Sequence, residues 1–312
     1  MTLPMVVADD TLPSAVTIYE VGPRDGLQNE ASIVPLEVKA EFVRRLVAAG
    51  LQVVEVTSFV HPRWVPQLAD ASELIERLDL RGVVDMPVLV PNERGLDRAL
   101  AAGARHIAIF ASATESFARA NLNRGLDEQY AMFEPVVARA RDAGVRVRAY
   151  LSMCFGDPEE GAVPLDQVVV AGGRLVDMGA TQLSLGDTIG VATAGHVAAL
   201  IDAFAAARID VSSLAMHFHD TYGQALANVL ASLRSGITTF DASAGGLGGC
   251  PYAKSATGNL ATEDLVWMLR GLGIDTGVDL GELVRASVWM ADQLGRPSPS
   301  RVVNALAAPS PR

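Results

Sequence analysis

A (β/α)8 TIM barrel with a C-terminal helical extension, an α/β fold, is what the sequence predicts, and three observations predict it. Eight short β-prone runs occur in series, each followed by a stretch in which apolar residues recur at helical spacing, the order such a barrel requires. The length of 312 residues suits one barrel of repeated β/α units. Half of the residues are hydrophobic but only 5% are aromatic, with 28 glycines, so the interior is expected to be rich in Ala, Val and Leu and edged by tight turns. An open, doubly wound sheet is the structural alternative.

The first strand, 16–20, follows a leader with Pro4, Pro13 and the pair Asp9-Asp10 but no periodicity. Helical spacing over 36–49 stops at Gly50. The second strand, 53–59, draws on Val53, Val54, Val56 and Phe59, and a helical stretch at 65–78 comes next. Strand 86–90 precedes helix 94–102, strand 106–111 precedes helix 127–143, and strand 145–153 precedes helix 165–178. Strand 181–185 leads to helix 194–207, and strand 214–219 to helix 223–235. The eighth strand, 238–242, opens into Gly245-Gly246-Leu247-Gly248-Gly249-Cys250 and then helices 262–271 and 280–294. The tail beyond Gly295 is rich in Pro and Ser. The expected organisation is a flexible leader over 1–15, one barrel over 16–295 and a peripheral tail over 296–312.

A net charge of −11 argues against binding nucleic acid, whose phosphates need a basic surface. Cys154 and Cys250 are too few for a disulfide framework and fit a reducing cytoplasm. No run approaches the roughly 20 apolar residues of a membrane helix, so no membrane partner is expected.

In such a barrel the site is built at the C-terminal ends of the strands. Gathered there are Arg24-Asp25 after the first strand, Glu55 in the second, Asp187 after the sixth, His217 and His219 in the seventh, and Asn259 beyond the glycine-rich loop. Alternate strand residues share a face, so His217 and His219 point one way and Phe218 the other. A His-x-His by itself is more often two ordinary polar residues, and Asp25 by itself an ion-pair partner of Arg24 or a turn cap. Together, two imidazoles, a carboxylate and an amide carbonyl form a mixed nitrogen and oxygen set suited to a divalent cation such as Mg²⁺ or Mn²⁺. The lack of a thiolate in the set argues against structural zinc. The glycine-rich stretch lacks dinucleotide-binding spacing; it is a flexible turn that could also carry Cys250 over a site, where a tuned thiol can move a proton.

Gly22-Pro23-Arg24-Asp25-Gly26-Leu27-Gln28-Asn29-Glu30, SLGDTIG at 184–190, HFHDTYGQALAN at 217–228 and GLGGCPYAKSATGN at 246–259 resemble the 3-hydroxy-3-methylglutaryl-CoA lyase family. The likeness runs over about 16–295. Isopropylmalate and homocitrate synthases, metal-dependent barrels of the same wider group, would fit the Arg-Asp-Gly-x-Gln run and the His pair, while the Cys250 loop points to the lyases. The resemblance implies that Asp25, His217, His219 and Asn259 ligate Mg²⁺ or Mn²⁺, that Arg24 and Cys250 are catalytic, and that Glu55 and Asp187 support them. There are two departures. Cys154 and Asp157 stand in the strand-five segment where many members carry cysteines flanking the glycine, so Cys154 is given no catalytic role. His61 stands where small residues are usual.

The implied activity is retro-Claisen cleavage of 3-hydroxy-3-methylglutaryl-CoA, or a close 3-alkyl analogue, to acetyl-CoA and acetoacetate, a reaction of leucine degradation. The implied partners are the acyl-CoA thioester and a second copy of the chain in a homodimer. The base is left open among a metal-bound histidine such as His217, Asp187 and water. A metal-free Schiff-base route would need a lysine in the site, and only Lys254 is near, Lys39 lying in the first helix. Two competing readings are an acetyl-CoA-dependent condensing synthase and a noncatalytic acyl-CoA-binding barrel. The synthases usually carry a further C-terminal region, and the noncatalytic barrel would leave so complete a set of reactive residues without a use.

Overall fold

The computed structural model describes residues 3–80, 82–249 and 258–307. Its strands are β1 (Thr17–Glu20), β2 (Val53–Val54), β3 (Thr57–Ser58), β4 (Val88–Leu89), β5 (His106–Ser112), β6 (Arg146–Ser152), β7 (Gln182–Asp187), β8 (Leu214–Phe218) and β9 (Thr239–Ala242). They pair in parallel in the order β2-β1-β9-β8-β7-β6-β5-β4-β3. β2 and β3 are two halves of one strand, parted at Glu55-Val56. The Glu55 amide donates to Glu20 O on the side of β1 and the Val56 amide to Pro87 O on the side of β4. Successive amides of a strand face opposite neighbours, so this strand joins both ends of the series and the sheet closes as the predicted barrel of eight.

The helices are α1 (Leu36–Ala48), α2 (Ala71–Leu78), α3 (Glu93–Ala101), α4 (Glu115–Leu122), α5 (Leu126–Asp142), α6 (Leu165–Met178), α7 (Ala194–Ala206), α8 (Ala225–Arg234), α9 (Thr262–Gly271), α10 (Leu280–Leu294) and α11 (Arg301–Ala307). The helix expected at 65–78 is broken. Pro66–Leu68 form a 3-10 turn before α2, because Pro66 keeps Val65 out of the helical conformation (φ −132°, ψ 78°), and the Gln67 side chain ties the turn down by accepting from the Val34 amide and donating to Ser32 O. α4 was not legible: with Phe117 and Ala118 as its buried residues it offers too short an apolar face for a periodic pattern. α10 and α11 form the helical extension after the eighth barrel helix, α9. Val303 of α11 is 2% exposed, and Ser300 just before it donates to Asp264 at 2.7 Å.

Strand alternation divides the apolar interior. Ile107, Ile109, Leu183, Leu185, Met216 and Phe240 face the helices, whereas Tyr19, Leu89, Ala108 and Tyr150 face the lumen. The lumen also holds Arg148, stacked 3.8 Å from the Tyr19 ring centroid and 4.7 Å from that of Tyr150 and ion-paired with Asp241. Among the described residues no helix is long and apolar enough to cross a membrane.

Candidate active site

The Gly22–Gly26 turn after β1 is a π-type turn in which the amides of Arg24, Asp25 and Gly26 all donate to Val21 O. Such turns are rare and frequently present functional side chains. A Cβ on Gly26 would lie 2.8 Å from both Leu247 Cβ and Ser243 Oγ, so only glycine lets the turn sit this close to the loop after β9.

The turn aims Arg24 and Asp25 at the barrel axis. Arg24 donates from Nε to Glu55 Oε1 at 3.0 Å, from Nη2 to Glu55 Oε2 at 3.3 Å and from Nη1 to Asp25 Oδ1 at 2.7 Å. Tyr150 donates its hydroxyl to Glu55 Oε2. Burial opposes the charge on Arg24, but Glu55 and Asp25 hold its pKa well above the ordinary value. The ion pair expected of Asp25 in its ordinary reading is therefore present alongside its place in the site.

His217 and His219 point to the same side, their ring centroids 5.3 Å apart, while Phe218 is buried in the core. Among the described residues, Asp25, His217 and His219 bring one ligand atom each within 4.8 Å of one another. Asn259 is delivered by the returning chain, bridged to His219, with the Leu260 amide donating to Phe218 O at 3.0 Å. Its Nδ2 donates to Asp25 Oδ2 at 2.8 Å and to Leu247 O at 3.1 Å. Among the described residues, Asn259 Oδ1 and His219 Nδ1 are buried without a hydrogen-bond partner, an expensive arrangement for polar atoms. Two imidazoles and a carboxylate facing one another, with the amide of Asn259 hydrogen-bonded to that carboxylate, fit a divalent cation.

The electrostatics of Asp25 and His219 suit a cation site. Burial alone would raise the Asp25 carboxyl, but Arg24, His217 and Asn259 pull it down to about 2. Burial and then the neighbouring His217 push His219 down to about 4, so its ring is neutral and free to ligate at physiological pH. Burial also disfavours the charged form of His217, but Asp241 raises its pKa.

Asp187 lies beside this group, at the end of β7, but its carboxylate is turned to its own loop, accepting from the Val191 amide at 2.8 Å and the Ala192 amide at 3.1 and 3.2 Å. Burial pushes it up to about 6 against the pull of those amides. Cys154 is buried, its thiol raised well above the usual range by burial and donating to Leu151 O. Cys250 and Lys254 lie outside the described residues.

Above the cluster lies a cleft of about 1160 Å³. Arg24, Asp25, His217 and His219 line it, as do His61 and the 83% exposed Trp64 from the loop after β3 and a wall running from Phe117 to Arg124 in and after α4.

The sequence reading missed Asp241, Arg148 and Tyr150. Asp241 lies opposite His217 in the β8–β9 register and 3.2 Å from His217 Nδ1, and it also accepts from Ser184 Oγ at 2.9 Å and from Arg148. The signal was present. Arg146, Arg148, Tyr150 and Ser152 alternate with Val147, Ala149 and Leu151, and Asp241 is the one charge in its strand. Strict alternation marks a polar lumen face.

The HMGL-like family description matches residues 15–289. The chain is 50% identical over 295 residues to a mitochondrial hydroxymethylglutaryl-CoA lyase of Arabidopsis thaliana, covering 95% of this chain and 63% of that one. It is 49% identical to the mitochondrial hydroxymethylglutaryl-CoA lyase of Rattus norvegicus, covering 95% of this chain and 90% of that one. The crystal structure of hydroxymethylglutaryl-CoA lyase from Pseudomonas aeruginosa superposes with a TM-score of 0.93 at 47% identity, over 95% of this chain and 99% of that one. These neighbours do not favour the condensing synthase. With the barrel, the Arg24-Asp25 turn and the His217-x-His219 pair in place, the chain belongs to the HMGL-like family, among the hydroxymethylglutaryl-CoA lyases.

Proposed function

We propose that the protein cleaves 3-hydroxy-3-methylglutaryl-CoA, or a close 3-hydroxy-3-alkylglutaryl-CoA, to acetyl-CoA and acetoacetate, using a catalytic barrel over 16–295. The observation that carries the reading is the set of Asp25, His217, His219 and Asn259 beside Arg24 at the base of the cleft. In the reaction the C3 hydroxyl loses a proton, the C2–C3 bond breaks, its electron pair passes to the thioester as an enolate, and the enolate carbon takes up a proton. A bound Mg²⁺ or Mn²⁺ would supply Lewis acidity that orients the hydroxyl and carboxylate and eases loss of the hydroxyl proton.

The chain's own residues do the rest. Arg24 is braced by Glu55 and Asp25, which leaves N–H donors on Nη1 and Nη2 for a substrate oxygen. A preset cation of this kind stabilises the developing enolate oxygen without reorganising during the reaction. Asp241 engages Nδ1 of His217, leaving Nε2 as the free nitrogen. Asp187 and Glu55 support the turn and loop that border the substrate, and Cys250 is assigned the proton delivered to the enolate carbon. The proton of the C3 hydroxyl goes to Asp187 or a water, or to His217 where its Nε2 is not engaged by the cation; a pH–rate profile of Asp187→Asn tells the Asp187 route from the other two.

Acetyl-CoA release from the thioester, measured after chelation and again after adding Mg²⁺ or Mn²⁺, tests the reading. Release that depends on the added cation supports it; no release, or release indifferent to chelation, overturns it. The same reading makes the protein a cytoplasmic homodimer acting in leucine degradation, of which sedimentation velocity tests the assembly.

A further inference from the structure

The wall of the cleft formed by α4 is held from outside the helix. Thr114 precedes α4 but does not cap it; its hydroxyl donates to Asp157 Oδ2 at 2.7 Å, and the Ser116 hydroxyl donates to the same oxygen at 2.9 Å. The other oxygen, Oδ1, accepts the amides of Glu159 and Glu160 at 2.7 and 3.0 Å. That folds the turn after β6 so that Glu160 Oε1 takes the Ser116 amide at 2.7 Å, one of the first-turn donors a helix cannot satisfy by itself. Asp157 is 4% exposed, so water competes little for these bonds.

Eight residues are too few to hold a helix by propensity. The position of α4 therefore depends on a carboxylate more than 40 residues further along the chain. Phe117, Arg119, Asn121 and Asn123 from this segment line the cleft, and none belongs to the cluster around Arg24 and the histidines.

We propose that Asp157 is a positioning residue for thioester binding, holding α4 as a preformed wall of the cleft and so setting substrate affinity rather than the rate of bond cleavage. This rests on the acyl-CoA reading above.

The test is steady-state kinetics of the metal-loaded enzyme on 3-hydroxy-3-methylglutaryl-CoA for wild type, Asp157→Ala, Ser116→Ala and the double variant, with hydrogen exchange of 115–122. KM is expected to rise about tenfold in Asp157→Ala with kcat within about twofold. Ser116→Ala should raise KM less and add nothing on top of Asp157→Ala. Amide protection over 115–122 should fall in Asp157→Ala while the barrel strands keep theirs. An unchanged KM, a fall in kcat without a rise in KM, or unaltered protection of α4 overturns the proposal. If Asp157→Ala does not fold, Ser116→Ala decides by the same criteria. A wild type that releases no acetyl-CoA overturns the acyl-CoA reading, and the exchange of α4 then still decides whether Asp157 holds the wall.

Discussion

One carboxylate, Asp241, serves Arg148, Ser184 and His217, so the histidine's orientation is tied to the lumen rather than to its own loop. Carboxylates that fix a ligating imidazole contribute to affinity for the metal. Asp241→Asn should therefore weaken Mn²⁺ binding about 10–100-fold, read by calorimetry or by the EPR signal of free Mn²⁺. His219→Ala should lose cation binding and turnover together. Arg24→Met is a different case. It removes a donor and no ligand, so turnover should fall by about 10²–10³ while Mn²⁺ affinity stays within about twofold. A large loss of Mn²⁺ binding in Arg24→Met would instead make Arg24 chiefly the brace of Asp25.

At the scale of elements, two buried glutamates join the segments that carry the site. Glu20 accepts from the Gly22 amide at 2.7 Å, the Ala244 amide at 2.8 Å and Thr262 Oγ1 at 2.6 Å, linking the turn after β1 to both ends of the loop after β9. Glu263 accepts from the Gly245 amide at 2.9 Å and from Ser287 of α10. Burial raises Glu20 to about 7 and Glu263 to about 8, from ordinary values of 4.5. The folded protein thus keeps protons that the unfolded chain releases above 4.5. Their stabilising effect is complete below that pH and is lost as the pH rises through 7 to 8. Melting curves from pH 5 to 8.5 should show Tm falling less in Glu263→Gln than in wild type, by about 2 °C or more. Parallel pH dependence in the two proteins would refute the assignment.

For the whole molecule, the barrel encloses a fully buried ion pair, Arg148 with Asp241, between the rings of Tyr19 and Tyr150. Such a pair adds little net stability, but removing one partner strands a charge. Arg148→Leu should cost about 3–5 kcal/mol in urea unfolding, and Arg148→Leu with Asp241→Leu less than Arg148→Leu alone. Equal costs for the two would mean that the loss comes from packing against the tyrosines. The double variant should also lose the anchor of His217, separating stability from cation binding in one protein.

The sequence by itself determined the barrel, its strand order and the residues at the strand ends. Strand and helix periods are local, and polar groups at the C-terminal ends of barrel strands stand out against apolar surroundings. Arg24, Asp25, His217, His219 and Asn259 were legible for that reason, and the structure brings them together. Asp187, legible by the same signal, is turned to the amides of Val191 and Ala192. Only the tertiary structure decided that Asp241 meets His217, that Arg148 crosses the lumen, and that Asp157 secures an eight-residue helix lining the cleft. Those contacts join residues between 24 and 93 positions apart. Their pairing follows from how the closed ring sets the register of one strand against the next, a constraint no local pattern carries.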